Sequence, residues 1–359
     1  MKKILITLAG SCGTNSILHT MRLREAYEFV GIAIDKFKAA KANTDKVYIL
    51  SPYTTEESEY IETLKKIIDK EKPDLLITNS EAEVLIISRY REEIPIPVFL
   101  PSEEEVKIAD NKLLFHQFCD KNSINNAKTY HVKQIDDIAG IFAHLQNNPN
   151  TPLWCRMREG NSSKGATKVK TVEQASFWID YWHTMRDTPI DQFLISEYLP
   201  GRDFAVQSLW KNGELYLMKA AERLSYFGGN ERVSGVSSTP EVAVTINDKT
   251  IFAFCTNIIK RLSNNNANGC YNIDLKLDAN NEIYVTEVNA GRFYNITPIF
   301  NSSGKNATFD TFIALALGEE ETLSIESPYD YEEKYICRDI DTLPDILTIE
   351  EIDKKVTQL

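Results

Sequence analysis

Apolar positions along residues 1–100 come in short runs separated by longer amphipathic stretches. "KKILITLA" reads as a buried parallel strand, and "GSCGTNSILHTMRLRE" as a Gly turn entering a helix. "EFVGIAID" is a second strand, "ESEYIETLKKIIDKE" an amphipathic helix, "PDLLITN" a strand, "EAEVLIISRYREE" a helix and "IPVFLP" a closing strand. Short apolar runs alternating with helices indicate βαβ units and an open parallel sheet.

The pattern changes after Pro101. Two helical pieces span "SEEEVKIADNKLLFHQFCDKNSI", opened by Ser102 with acidic residues in the first turn, which is an N-terminal signature. "LWCRM" is a strand running into the polar loop "REGNSSKGATKV", and "TVEQASFWIDYWHTM" is a helix. "QFLISEYLPGRDFAVQSLW" gives two strands meeting at Pro200-Gly201, "GELYLMKAAERL" continues that sheet, and residues 249–263 form an amphipathic helix. The tail from Leu323 reads as acidic and irregular, with a final helix near 348–357.

The segment "NIDLKLDANNEIYVTEVNAGRF" (272–293) carries the clearest chemistry. Asn tolerates the left-handed backbone of a tight turn, so a two-residue hairpin turn centred on Asn280–Asn281 is expected. That register sets Asp274 across from Glu287, with Asn289 on the same face and Ile273, Leu275, Leu277 and Val288 on the other. Like charges opposed across a ladder are unfavourable. A hard cation explains them, since Mg²⁺ takes oxygen ligands and only one or two carboxylates; a solvated face with coincidental acids explains them as well.

Two further stretches are weaker alone. The small-residue loop 158–169 can offer N–H groups to phosphate oxygens, with Arg156 and Lys164 as nearby cations, or be a plain hairpin loop. In "LISEYLPGRDFAV", Glu197 ends a strand and Asp203 follows a Pro-Gly turn. These are acceptors for an amino group or a hydroxyl, or ordinary turn chemistry.

Composition narrows the classes. The chain has 359 residues, enough for two or three domains, and a net charge of -12 that disfavours nucleic acid or an anionic membrane surface as partner. Its 6 cysteines include no CxxC pair, which argues against a zinc site or disulfide framework and for a cytoplasmic protein. The apolar run Ile4–Ala9 is too short for a leader peptide's core.

Taken in order, the segments resemble the ATP-grasp superfamily, closest to the ATP-binding halves of carbamoyl-phosphate synthetase large chains and carboxylate–amine ligases. The resemblance runs from Lys2 to about Gly318. It implies an N-terminal open parallel α/β (pre-ATP-grasp) domain over 1–105 and a two-subdomain ATP-grasp fold, α+β, over 106–322. Its lid subdomain would span about 120–198, followed by a C-terminal extension over 323–359. By the same resemblance Lys112 and Arg156 contact phosphates, and Ser163, Lys164 and Gly165 belong to the glycine loop. Glu197, Tyr198 and Leu199 line the adenine hinge, and Asp203 meets the ribose. Asp274, Glu287 and Asn289 ligate magnesium, and Arg292 touches phosphate or substrate. Arg223 and Arg232 are candidate clamps for the acceptor carboxylate.

The departures are a glycine loop reading Asn-Ser-Ser-Lys, Asp203 where Glu is commoner, and Ala290 where Pro is usual. The implied activity is an ATP-dependent ligase with two Mg²⁺, for which Mn²⁺ could substitute. It joins a small carboxylate to an amine through an acyl phosphate. A phosphotransferase or a non-catalytic nucleotide-binding module are the alternatives, and a homodimer is common in such proteins. Carbamoyl phosphate synthesis would need two such halves in one chain, and only one is present.

Overall fold

The computed structural model describes residues 1–160, 163–237 and 239–338, with Lys354 and Thr357. The helix expected near 348–357 falls almost wholly outside the described residues. So do Asn161 and Ser162 of the glycine loop.

Strands β1 (Lys2–Ile6), β2 (Tyr27–Ala33), β3 (Lys46–Ile49) and β4 (Leu75–Ile77) form an all-parallel sheet in the order β3-β2-β1-β4. The first two and the last coincide with the apolar runs read from the sequence. β3 does not, because only Val47 and Tyr48 of its four residues are buried and its pattern is too short to register. "IPVFLP" contributes a single parallel bridge, Val98 to Leu76, and not a strand.

β5 (Thr129–His131), β6 (Leu153–Met157), β7 (Thr167–Val169) and β8 (Phe193–Glu197) make an antiparallel sheet ordered β5-β8-β6-β7. β9 (Asp203–Lys211), β10 (Glu214–Tyr226), β11 (Pro240–Ile246), β12 (Gly269–Leu277), β13 (Ile283–Ala290) and β14 (Tyr335–Cys337) make a second antiparallel sheet, ordered β13-β12-β9-β10-β11-β14. Pro200-Gly201 therefore separates strands of different sheets. The tail is less irregular than its sequence indicates: β14 closes the larger sheet against β11, and Pro328 O accepts from Met218 N at 2.7 Å.

Each sheet has its own core. Leu5, Val30, Ile32, Tyr60 and Leu64 fill the first, Ile138, Phe142, Cys155, Ile179 and Phe193 the second, and Phe204, Trp210, Phe252, Ile258, Tyr271 and Ile273 the third. A further cluster joins the first sheet to the third, with Ile4, Ile6 and Phe29 meeting Phe293, Phe309 and Phe312. Burying one such phenyl ring stabilises by about 2 kcal/mol, so this seam holds the parallel sheet firmly beside the hairpin.

The hairpin corrects one detail of the sequence reading and keeps its consequence. The loop has three residues, Ala279–Asn281, with Asn281 at φ 65° and Asp278 Oδ1 accepting from Asn280 N and Glu282 N. That slips the register by one near the turn, pairing Leu275 with Val285. A bulge at Thr286 takes the slip back, and Asp274 again stands opposite Glu287 and Asn272 opposite Asn289.

Candidate active site

A cavity of about 600 Å³ lies between the two antiparallel sheets and reaches the carboxyl end of the parallel sheet. Its floor follows from cross-strand pairing. Asp203 on β9 sits opposite Arg223 on β10 and opposite Lys276 on β12, so both neighbouring strands bring it a cation. Its Oδ1 accepts from Arg223 Nη1 at 2.8 Å, and its Oδ2 from Tyr226 Oη at 2.6 Å and Lys276 Nζ at 3.2 Å. The residue opposite Asp274 on β9 is Ala205. The small side chain there lets Arg223 reach across to Asp274 Oδ1. Arg223, whose side chain is only 10% exposed, thus neutralises two carboxylates.

Glu287 and Asn289 complete the face. Lys112 Nζ lies 3.5 Å and Arg156 Nη1 3.9 Å from Glu287 Oε2, and Asn289 Nδ2 donates to Glu287 Oε1 at 3.1 Å. Arg292 donates to Asn289 Oδ1. Each oxygen-bearing side chain of the trio therefore has a cation beside it. Burial raises the pKa of Asp274, and Glu287 raises it further despite Arg223. Burial would also raise Glu287, but Lys112 and Arg156 outweigh it and hold that carboxyl well below the usual range. One anion of the facing pair is thus secured by cations and the other is held near its protonation threshold.

Lys112 and Arg156 are themselves placed by local rules. Asn111 caps the helix Lys112–Lys121, accepting from Leu113 N and Leu114 N at 3.1 Å, which puts Lys112 in the first turn facing the cavity. Lys112 Nζ also donates to Gly160 O at 3.0 Å, tying helix to loop. Arg156 leaves β6 and crosses to the larger sheet, donating through Nη2 to Thr286 O at 3.0 Å, on the bulge. The same nitrogen donates to His116 Nε2 at 2.8 Å, while His116 Nδ1 meets Asn126 Oδ1 at 2.7 Å. Burial and the adjacent Arg156 push the His116 pKa down to about 4, so its ring is neutral and accepts from the guanidinium.

Ser163, Lys164, Glu197, Tyr198 and Leu199 line the cavity on the smaller sheet's side. Lys168 lies over the Tyr198 ring at 5.0 Å, and Glu197 Oε2 accepts from Lys128 N at 3.0 Å. Gly165 stands behind this wall, its carbonyl accepting from Trp178 Nε1. Arg232 is exposed and does not line the cavity. The other candidates, Lys112, Arg156, Asp203, Arg223, Asp274, Glu287, Asn289 and Arg292, are brought together.

The sequence reading missed several wall residues. His116 lies one helical turn from Lys112, a spacing that could have exposed it; Lys276 sits in an Asp-Lys-Asp series that reads equally as a solvated strand face. Glu81 and Asp110 come from separate helices and give no joint signal. Thr78 and Asn79, at the end of β4, grip both peptides around Arg292: Thr78 Oγ1 donates to Gly291 O at 2.8 Å, and Asn79 Oδ1 accepts from Phe293 N at 2.9 Å. Gly291, at φ 76°, has no room for a Cβ, which would fall 2.9 Å from Leu100 and from Val84.

Asp274, Glu287 and Asn289 present hard oxygen donors on one face and fit Mg²⁺, with substrate oxygens left to complete its coordination. Among the described residues no group of three or more His, Cys, Asp or Glu forms a metal cage.

No family model matches the sequence, and no curated protein matches it. Among solved structures, an L-amino acid ligase from Bacillus licheniformis superposes with TM-score 0.66 at 14% identity, covering 91% of this chain and 77% of that one. The biotin carboxylase domain of Hydrogenobacter thermophilus 2-oxoglutarate carboxylase, solved with MgADP, ADP and bicarbonate, gives 0.70 at 13%, covering 93% and 73%. The N5-carboxyaminoimidazole ribonucleotide synthetase of Thermotoga maritima gives 0.62 at 16%, covering 93% and 80%. Two antiparallel sheets enclosing one cavity, behind a parallel α/β sheet, give this chain the fold of these enzymes, the ATP-grasp fold.

Proposed function

We propose that the chain is an ATP- and Mg²⁺-dependent ligase that activates a small-molecule carboxylate as an acyl phosphate for attack by an amine. The observation that carries this reading is the meeting of Asp274, Glu287 and Asn289 with Lys112, Arg156 and Arg292 in one cavity between two antiparallel sheets. A cluster of three cations against three oxygen donors is matched to a polyphosphate and its metal. The likeness to carboxylate–amine ligases of the same fold supports the reaction type.

In this reading residues 1–105, 106–322 and 323–359 are the pre-ATP-grasp domain, the ATP-grasp domain and an extension. Asp274, Glu287 and Asn289 hold the metal, which when bound offsets the charge of the β- and γ-phosphates. Lys112 and Arg156 bind phosphate oxygens, and Ser163, Lys164 and Gly165 supply the loop that covers them. Glu197, Tyr198 and Leu199 border the base. Arg292, fixed by Thr78 and Asn79 on either side, faces the transferring phosphoryl group. Arg223 acts as a counter-ion that keeps Asp203 and Asp274 in place, and Arg232, exposed outside the cavity lining, remains a candidate clamp for the acceptor carboxylate only.

The reaction moves the γ-phosphoryl group to a carboxylate oxygen, breaking its bond to the β–γ bridging oxygen and releasing ADP. The amine nitrogen then attacks the acyl carbon, the C–O bond to phosphate breaks, and the nitrogen loses a proton. No covalent side-chain nucleophile is needed, only alignment, charge neutralisation and exclusion of water. The 6 unpaired cysteines accord with a reducing, cytoplasmic setting.

The test is incubation with Mg·ATP, a mixture of the proteinogenic amino acids and hydroxylamine. A ligase releases ADP and accumulates a hydroxamate from the trapped acyl phosphate. ADP release without hydroxamate, together with a phosphorylated hydroxyl, would replace the ligase with a phosphotransferase.

A further inference from the structure

Where β1 leaves the parallel sheet, the chain adopts a conformation that its sequence disfavours. Leu8 stands at φ 54°, and among the described non-glycine residues at positive φ it is the one apolar side chain. That region crowds a Cβ against the following carbonyl, so Gly, Asn or Asp is the usual occupant. Hydrogen bonds fix the backbone on both sides: Thr7 N donates to Ile77 O at 3.0 Å on β4, and Ala9 N to Ile32 O at 2.8 Å on β2. The Leu8 side chain is half-buried and lines the cavity.

Asn79 places this turn beside Arg292. Its N donates to Thr7 Oγ1 at 3.0 Å and its Nδ2 to Thr14 Oγ1 at 2.9 Å, so it holds both ends of the turn, while its Oδ1 holds Phe293 N. Gly13 lies against Asn295, whose Oδ1 would fall 2.6 Å from a Cβ there. The lining that the turn supplies, Leu8, Ser11, Cys12 and Gly13, has no charged side chain. Arg292 is the cation beside it, and Glu81 stands 3.6 Å from that guanidinium.

We propose that Leu8 sets the specificity for the acyl substrate, an acid whose carboxylate meets Arg292 and whose uncharged, apolar substituent packs on Leu8. This rests on the ligase reading and names the class of acid which that reading leaves open. Strain of this kind persists where the surrounding structure over-determines it, and it gathers at functional sites. Asn has the same branched shape and tolerates positive φ, so a turn that was merely structural would have no need of Leu. An apolar substituent gains by burial against Leu8, whereas a charged one would lose its water with no partner in this turn.

Saturation-transfer NMR on the full chain, with Mg²⁺ and a non-hydrolysable ATP analogue present, tests this with 4-methylpentanoate and succinate. Both carry one carboxylate on the same short spacer; the first ends in an isopropyl group, the second in a carboxylate of the same shape. Wild type should bind 4-methylpentanoate at least roughly tenfold more tightly than succinate, the scale on which an apolar pocket discriminates. Leu8→Asn should weaken 4-methylpentanoate roughly tenfold while succinate and the nucleotide analogue bind as before. Leu8→Gly, equally free of crowding at positive φ, is the second variant and should show the same loss. A merely structural Leu8 would move the urea midpoint and leave the saturation of the isopropyl methyls unchanged.

The proposal is overturned if wild type binds succinate as tightly as 4-methylpentanoate or binds neither, or if either folded variant binds 4-methylpentanoate as wild type does. The hydroxamate trap scores the ligase reading separately. A hydroxamate without the preference removes the role of Leu8 alone. The preference without a hydroxamate removes the ligase and leaves a site for apolar acids.

Discussion

The β12–β13 hairpin floor and the loop over residues 158–169 face each other across one cavity, and they are built in opposite ways. On the floor every carboxylate has a partner of opposite sign: Asp203 with Arg223 and Lys276 opposite it in strand register, Asp274 with Arg223, and Glu287 with Lys112 from a capped helix and Arg156 from β6. On the loop, Lys164 is exposed, Ser163 stands at φ 56°, and the described residues are tied by hydrogen bonds outside any ladder, such as Lys112 Nζ on Gly160 O, Asn111 Nδ2 on Glu159 Oε1 and Trp178 Nε1 on Gly165 O. The floor is preorganised, as a site that stabilises developing charge must be. The loop carries no such set of paired charges among its described residues, which suits a cover over a nucleotide better than a charge-stabilising floor.

The largest expected effect comes from breaking the floor. Glu287→Ala should lower ATP turnover by roughly 10³-fold or more, the scale for losing a preorganised electrostatic group, while the fold persists. Steady-state ADP release at saturating Mg²⁺ measures it. Normal turnover would end the metal assignment.

Arg156 spans the two regions, so its loss should weaken stability as well as activity. Arg156→Met strips a cation from Glu287 and the donor from His116 Nε2. Urea unfolding should read a loss of about 2 kcal/mol. Lost activity with unchanged stability would mean that the bridge does not tie the sheets.

His116 gives the comparison a pH axis. Its pKa is about 4 in the folded chain, against about 6.5 unfolded. Between those values the unfolded chain binds the extra proton, so folding stability falls as pH drops from about 6.5 to 4. His116→Gln should flatten that part of the stability–pH curve, measured by thermal unfolding from pH 7 to 4. A curve of unchanged slope would place the titration elsewhere.

The smallest effect belongs to the loop. Lys164→Ala should leave stability within about 0.5 kcal/mol and raise the KM for ATP a few-fold. A large stability loss would show the loop to be part of the rigid frame.

How much of this was legible in the sequence follows the same division. The floor was legible because a strand's period of two and one turn fix a face, and Asp274, Glu287 and Asn289 needed nothing more. The turn was misread by one residue, and the bulge at Thr286 restored the register. Tertiary fit at Arg156 and Thr286 O explains that bulge, and no local pattern announces it. Arg223 was legible as a cation near the site but not as a counter-ion, because its commitment depends on Ala205 leaving room across two strands. Glu81, Asp110 and Asn79 reach the cavity only through packing between helices and sheets remote in the chain. Pairings of that kind carry no spacing to read.

The central claim is that the hairpin face and its cations form a Mg·ATP site. Calorimetric titration of a non-hydrolysable ATP analogue, with and without Mg²⁺, tests it most directly in wild type and Glu287→Ala. The account predicts that wild type binds at least roughly tenfold more tightly with Mg²⁺, and that Glu287→Ala loses that dependence. Equal affinity with and without Mg²⁺ in wild type, or an undiminished Mg²⁺ effect in the variant, would contradict it.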